Sequence, residues 1–200
     1  MYTLVNNTSQ KNLLDELTQS LADCSRFYFN VAFVSYSGVQ LLLDSFKLAE
    51  SKGILGKFIT GTYLNFTDPK AIRKLKTFND FDVRVFLATE TQGFHPKAYI
   101  FEYDDFYKVI IGSSNLTNYA LKSNIEWNLQ VIAKNDATNE EFLNYLKDTF
   151  NSDYIAVYLV DRYTIKVIDT NNDIGYFKYN IKTKNIDFID NYNKSKEMER

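Results

Sequence analysis

Between residues 9 and 88 the apolar residues of this chain change their period repeatedly, and that alternation restricts the fold more than any single residue does. SQKNLLDELTQSLADC, residues 9–24, places Leu13, Leu14, Leu17, Leu21 and Cys24 on one side of a helix. RFYFNVAFVS, residues 26–35, is rich in aromatic and β-branched residues and reads as a buried strand. SGVQLLLDSFKLAESKG, residues 37–53, returns to the helical period, with Ser37 as its expected N-cap and Gly53 as its stop. The strand KFITGTYL (57–64), the helix opening at DPKAIRKLK (68–76) and the strand FDVRVFLA (81–88) follow. Helices that alternate with strands cover the faces of a sheet, so the expected class is α/β with a mixed, mostly parallel sheet flanked by helices on both faces.

Beyond residue 90 the pattern changes. HPKAYIFEY (95–103) and YKVIIGSS (107–114) read as two strands of a hairpin turned at Asp104 and Asp105, and EWNLQVIA (126–133) as a further strand. A helix is expected from Thr138 to Phe150, with Thr138 and Glu141 spaced as a capping box. YTIKVID, IGYFKYN and NIDFID then suggest a small antiparallel meander turned at 170–173 and 182–185. The expected division is a main domain at 1–153, the small C-terminal antiparallel β extension at 154–190, and at 191–200 a charged tail or the start of a linker.

Composition narrows the function classes. With 45% hydrophobic residues in 200, the chain is long enough to bury a substantial core. No run of about 18 apolar residues is present, and MYTLVNNTSQKN lacks the features of a signal peptide, so a cytoplasmic protein without a membrane partner is expected. One His and one Cys make a zinc site within the chain improbable, and neither metal nor other cofactor is expected. A net charge of −2 is not that of a basic nucleic-acid binder, so any DNA contact must be local. The best local candidate is the helix capped by Asp68 with Pro69 in its first turn. Its Lys70, Arg73 and Lys74 share one face, opposite Ala71, Ile72, Leu75 and Phe78. They make either a solvated surface or a phosphate-contacting one.

The single histidine, His95, stands two residues before Lys97, which places both side chains on one face of an extended segment. Pro96 between them favours extended geometry at residue 95. Gly112, Ser113 and Asn115 come where the next strand ends, the glycine leaving room for a ligand near the backbone. Lysine, asparagine and serine all donate hydrogen bonds, so together they describe a pocket for an oxyanion such as phosphate. Glu126 adds a carboxylate able to hold an imidazole in one tautomer.

The spacings His95-Pro96-Lys97, Gly112-Ser113-Ser114-Asn115 and then Glu126 resemble the H-x-K and G-S-x-N signature of the phospholipase D superfamily. The continuation GSSNLT is similar to the single-motif nucleases and to metal-independent restriction endonucleases, and GSSNLT followed by the EWN triplet resembles phospholipase D-like domains fused to DEAD/DEAH-type helicases. The fuller motif has an aspartate five residues after the lysine; this chain has Glu102 there, read as an outward residue near a turn. The resemblance covers residues 94–128 and implies a phospholipase D-like fold and a metal-independent phosphodiesterase, cutting DNA through a phosphohistidine intermediate. It implies His95, Lys97, Asn115 and Glu126 as catalytic residues, with Gly112, Ser113 and the cations of the 68–76 helix binding substrate. Because the superfamily reaction uses two histidines and this chain has one, the resemblance also implies a homodimer sharing one site. A DNA-binding or dimerising module associated with a helicase or restriction subunit is the competing reading, and a phospholipid phosphodiesterase the third.

Overall fold

The computed structural model describes residues 2–8, 11–62, 66–86, 93–151, 156–159, 164–168, 174–180, 182–183 and 186–190. The expected strand ends at 64 and 88, the turn at 170–173 and the tail at 191–200 lie outside these residues.

Among the described residues eleven strands and six helices follow one another. They are β1 (Tyr2–Val5), α1 (Leu13–Asp23), β2 (Arg26–Val31), α2 (Tyr36–Leu41), α3 (Leu43–Ser51), β3 (Leu55–Gly61), α4 (Pro69–Leu75) and β4 (Phe81–Phe86). Then come β5 (Lys97–Glu102), β6 (Phe106–Gly112), α5 (Asn118–Lys122), β7 (Asn128–Lys134), α6 (Glu140–Asn151), β8 (Ala156–Leu159), β9 (Thr164–Ile168), β10 (Ile174–Tyr179) and β11 (Ile186–Asp190). The strands hydrogen-bond in the order β1-β7-β6-β5-β2-β3-β4-β8-β9-β10-β11.

The sheet is mixed, and the expectation of a mostly parallel one is wrong. Only β2 with β3 and β3 with β4 run parallel among the described pairings. The physical reason is the connection after β4. A parallel crossover takes a dozen or more residues, usually a helix, whereas residues 87–96 separate β4 from β5. The chain therefore re-enters beside β2 in the opposite sense, pairing Val31 with Lys97, and β5, β6 and β7 continue antiparallel.

Helices cover both faces. Against one face lie α1 to α5, which bury Leu13, Leu17, Leu21, Phe46, Ile72 and Leu75 over the strand residues Phe27, Phe29, Phe58 and Phe81. The rings meet edge to face, as Phe27 does with Phe58 at 5.5 Å and with Phe81 at 5.2 Å. Such pairs add about 0.5–1.5 kcal/mol each beyond the area they bury. On the other face α6 presses Leu146 and Phe150 toward Tyr28, Ile59, Ile100 and Tyr107.

Two helix starts differ from the sequence expectation. The hydroxyl of Ser35, not Ser37, caps α2 by accepting the N–H of Gly38 at 3.0 Å. The expected 37–53 helix is broken at Leu42, whose φ of −102° and ψ of 5° divide α2 from α3. Gly53, with φ at 69°, ends the second piece as expected, in the left-handed region that glycine enters without strain. Before α6, Asp136 caps a 3-10 turn at Ala137–Asn139 by accepting from the Thr138 N–H, so Thr138 lies inside the turn and is not the cap. Asp68 caps α4 with Pro69 at its first position, as read.

Candidate active site

The C-terminal ends of β2, β3 and β4, the start of β5, the end of β6 and the start of β7 meet along one edge of the sheet. In open α/β sheets ligands settle outside the carboxyl ends of parallel strands. His95 lies there. The Ala32 N–H donates to Pro96 O at 2.8 Å, which carries the β2–β5 pairing past the end of the strand and anchors the histidine segment. Phe94, on the other side of His95, stacks on Phe86 with ring centroids 5.1 Å apart.

Lys97 folds back onto His95. Its Nζ is 2.6 Å from Nδ1, 3.0 Å from Nε2 and 3.1 Å from the carbonyl oxygen of His95. The contact sets the lysine nitrogen against the imidazole, so the two groups act as one unit at the strand end. Burial holds the Lys97 ammonium below the usual lysine range, while the negative charge of Glu126 pulls it back up.

Asn115 reaches the same edge from the loop after β6. Its Oδ1 accepts the N–H of Phe33 at 3.2 Å, which leaves the Nδ2 donors as the remaining polar atoms of the amide. The loop is tied to the exit of β2 again where the Ser35 N–H donates to Leu116 O at 3.0 Å.

Glu126 precedes β7 and is gripped through both carboxylate oxygens. Ser113 Oγ donates to Oε2, and Asn124 Nδ2 donates to Oε1 at 3.3 Å. The Trp127 N–H in turn donates to Ser113 Oγ at 3.1 Å. The serine is therefore a relay between the strand backbone and the carboxylate. Tyr99, buried beneath, donates its hydroxyl to Ser114 O at 3.1 Å, and its phenol is pushed far above the usual range by burial and then by the charge of Glu126.

His95, Lys97, Ser113, Asn115 and Glu126 thus lie along one edge of the sheet. The space beside Gly112 is filled by β7: a Cβ there would stand 2.1 Å from Trp127 O and 2.4 Å from Asn128 Oδ1. Its lack of a side chain serves strand approach. On α4, Lys70 is exposed in the first turn, Arg73 is half-buried, and Lys74 Nζ lies 5.5 Å from the centre of the Phe78 ring. The helix starts near the site edge, since the Asp68 N–H donates to Val34 O at 2.8 Å. Glu102 is at the far end of β5, paired with Arg26 and accepting the Tyr28 hydroxyl at 2.8 Å, away from His95.

Two supporting residues escaped the sequence reading. Asn128, 2% exposed, donates through Nδ2 to Ser114 Oγ at 3.0 Å and to Val5 O at 3.1 Å. Asn124 is the second holder of Glu126. Asn128 shares its strand period with Gln130 and Lys134, so the local pattern did not mark it as a buried residue.

The profile of the family described as cardiolipin synthase, PLD-like domain, matches residues 17–154, a span that includes every element from β2 to α6 and all five site residues. The chain belongs to this phospholipase D-like family. No curated protein sequence matches it. Among solved structures it is similar to NucT from Helicobacter pylori, with a TM-score of 0.60 at 16% identity over 78% of this chain and 98% of that one. It is similar to Nuc from Salmonella typhimurium, a phospholipase D family member, with a TM-score of 0.54 at 17% identity over 76% and 94% of the two chains. The yeast tyrosyl-DNA phosphodiesterase shares the fold at a TM-score of 0.51 and 13% identity, over 76% of this chain and 39% of that one. These likenesses establish a phospholipase D-like α/β fold. Among the described residues no helix is long and apolar enough to cross a membrane, and no three His, Cys, Asp or Glu side chains gather as a metal-holding group.

Proposed function

We propose that the chain is a phosphodiester-cleaving enzyme that cuts DNA without a metal, through a phosphohistidine intermediate, at a site shared by two subunits. The observation that carries the reading is the contact of Lys97 Nζ with the His95 ring at the carboxyl ends of the parallel strands. An imidazole held beside a cation is a nucleophile placed next to the charge that attracts a phosphate.

His95 of one subunit attacks phosphorus and expels the leaving oxygen, which takes its proton from the protonated His95 of the second subunit. Water then attacks the phosphohistidine, gives a proton to that second imidazole, and frees the first. Lys97 and the Nδ2 donors of Asn115 hold the non-bridging oxygens, and Ser113 links this set to Glu126. Lys70, Arg73 and Lys74 extend the cationic surface along the bound strand. The name of one similar structure, a tyrosyl-DNA phosphodiesterase, favours a DNA phosphodiester, whereas the family description favours a lipid one. The lone histidine supports the homodimer. The GSSNLT and EWN segments support a place beside a helicase or restriction subunit in the cytoplasm.

The deciding assay compares wild type with His95→Ala on labelled single- and double-stranded DNA in EDTA. Cutting by wild type alone supports the reading. DNA binding without cutting would make the chain a binding or dimerising module. Inertness toward DNA with release of headgroup from anionic phospholipid vesicles would move the same chemistry to lipid.

A further inference from the structure

Two aromatic rings stand at the site edge outside both cores. Among the described residues Phe33 and Phe66 join neither buried cluster, yet they pack on each other with ring centroids 5.3 Å apart. Phe66 is 56% exposed and Phe33 half-buried. The β2–β5 pairing sets Val31 against Lys97 and continues in the bond from the Ala32 N–H to Pro96 O. One step further along that register Phe33 stands opposite His95, on the side of the sheet that Lys97 occupies. The Phe33 N–H is also the donor that Asn115 Oδ1 accepts. Phe66 is held as firmly, because the buried Thr67 donates its hydroxyl to Gly61 O at 2.6 Å and the Asp68 N–H donates to Val34 O at 2.8 Å. Rings presented from anchored backbone give up little freedom when a ligand covers them.

Resting on the phosphodiesterase reading above, we infer that Phe33 and Phe66 form a stacking platform for an unpaired nucleobase next to the phosphate being cut. The order of groups along the edge selects this ligand. Lys97 and Asn115 come first as the phosphate-holding groups, the two rings follow, and the exposed Lys70 in the first turn of α4 comes after them. Charge, ring, charge is also the alternation of a nucleotide chain. Every base offers a π-face, so rings placed beside a cationic track take single strands with little regard to their sequence. A base paired within a duplex is already stacked and cannot cover them unless it leaves the helix. A lipid chain would need apolar surface continuing past the rings, and α4 presents Lys70 there instead.

Fluorescence anisotropy in EDTA tests this, with His95→Ala as the background so that the probe stays whole. The probes are a labelled oligo-dT and a strand of the same length and charge built of abasic sites. The oligo-dT should bind on the order of 10- to 100-fold more tightly than the abasic strand. Adding Phe66→Ala should erase most of that preference and Phe66→Trp should keep it, with circular dichroism showing that each variant folds. The slope of affinity against salt, which counts phosphate contacts, should be the same in all of them. Equal affinity for the two strands, or a preference that survives Phe66→Ala, would overturn the platform, and cutting of DNA by wild type would then leave the nuclease reading standing. A preference carried by Phe66 in a chain that never cuts DNA would uphold the platform and sink the nuclease reading. A loss from Phe66→Ala seen only with anionic phospholipid vesicles would give the rings to lipid and overturn the base-stacking role.

Discussion

Asn128 holds Ser114 from two sides, its Nδ2 donating to the serine Oγ at 3.0 Å and its Oδ1 accepting the serine N–H at 3.4 Å. Ser114 is fully buried, between the exposed Ser113 and the buried Asn115. The amide therefore fixes the loop from which both site residues emerge.

Replacing Asn128 by alanine takes the amide away from the Ser114 N–H and the Val5 carbonyl, while the Ser114 hydroxyl keeps its bond to Ala120 O. Leaving buried polar groups unsatisfied costs about 1–3 kcal/mol each, part of which relaxation recovers. A net loss of about 2–3 kcal/mol is expected, or about 5–10 °C in Tm for a chain of this size. Calorimetry of Asn128→Ala beside wild type checks it, and an unchanged Tm would mean the clamp is idle.

In the proposed shared site His95→Ala removes nucleophile and proton donor together, so it should abolish cutting. DNA affinity should change by less than about tenfold, since Lys97 and Asn115 remain to bind phosphate. Gel shift and single-turnover cutting on the same oligonucleotide separate the two effects. Residual turnover at the wild-type rate would place the nucleophile elsewhere.

Glu126→Gln should lower turnover on the order of 10²–10⁴-fold, as disturbing proton-transfer groups does, while keeping the fold. The charge of Glu126 opposes the fall in Lys97 basicity that burial causes. Without it Lys97 loses its proton at lower pH, so the alkaline limb of the activity profile should move down. An unchanged rate and profile across pH 5–10 would mark this carboxylate as structural.

Cys24 is 3% exposed, and burial, then the charge of Asp23, pushes its thiol up to about 12. The unfolded thiol ionises near 8.5, so between about pH 8.5 and 12 the unfolded state gives up a proton that the native state keeps. Native stability must then fall as pH rises through that window. Tyr28, also pushed up to about 12, chiefly by burial, acts in the same direction above its ordinary range. Urea unfolding from pH 8 to 11 should show this decline, and a gentler one in Cys24→Ala. A thiol reagent at pH 8 should label Cys24 only after unfolding.

The elements that could be read from the sequence are those whose own residues decide them. Leu13, Leu17 and Leu21 repeat at the helical period, Asp68-Pro69 announces α4, and H-x-K with G-S-x-N marks the strand ends beside which His95 and Asn115 lie. Strand direction has no such mark: the alternation of FDVRVFLA reveals a strand but not its sense, and the shortness of 87–96 was the feature that decided it. β1 went unnoticed because YTLV exposes three of its four residues and pairs only with β7, far along the chain. α5 spans five residues, too few to display a period. The grip on Glu126 by Ser113 and Asn124 depends on tertiary contacts that no local pattern records.

The hydrogen bond from Asn128 to Val5 joins residues separated by 123 positions. Closing so long a loop is entropically costly and slow, and it must await synthesis of the later partner. A nascent chain emerging from the ribosome would thus display His95 and Lys97 before the loop bearing Ser113 and Asn115 is locked. Assembly order would then act as a safeguard, because a competent site arises only once β7 and β1 have closed on each other at the edge of the sheet.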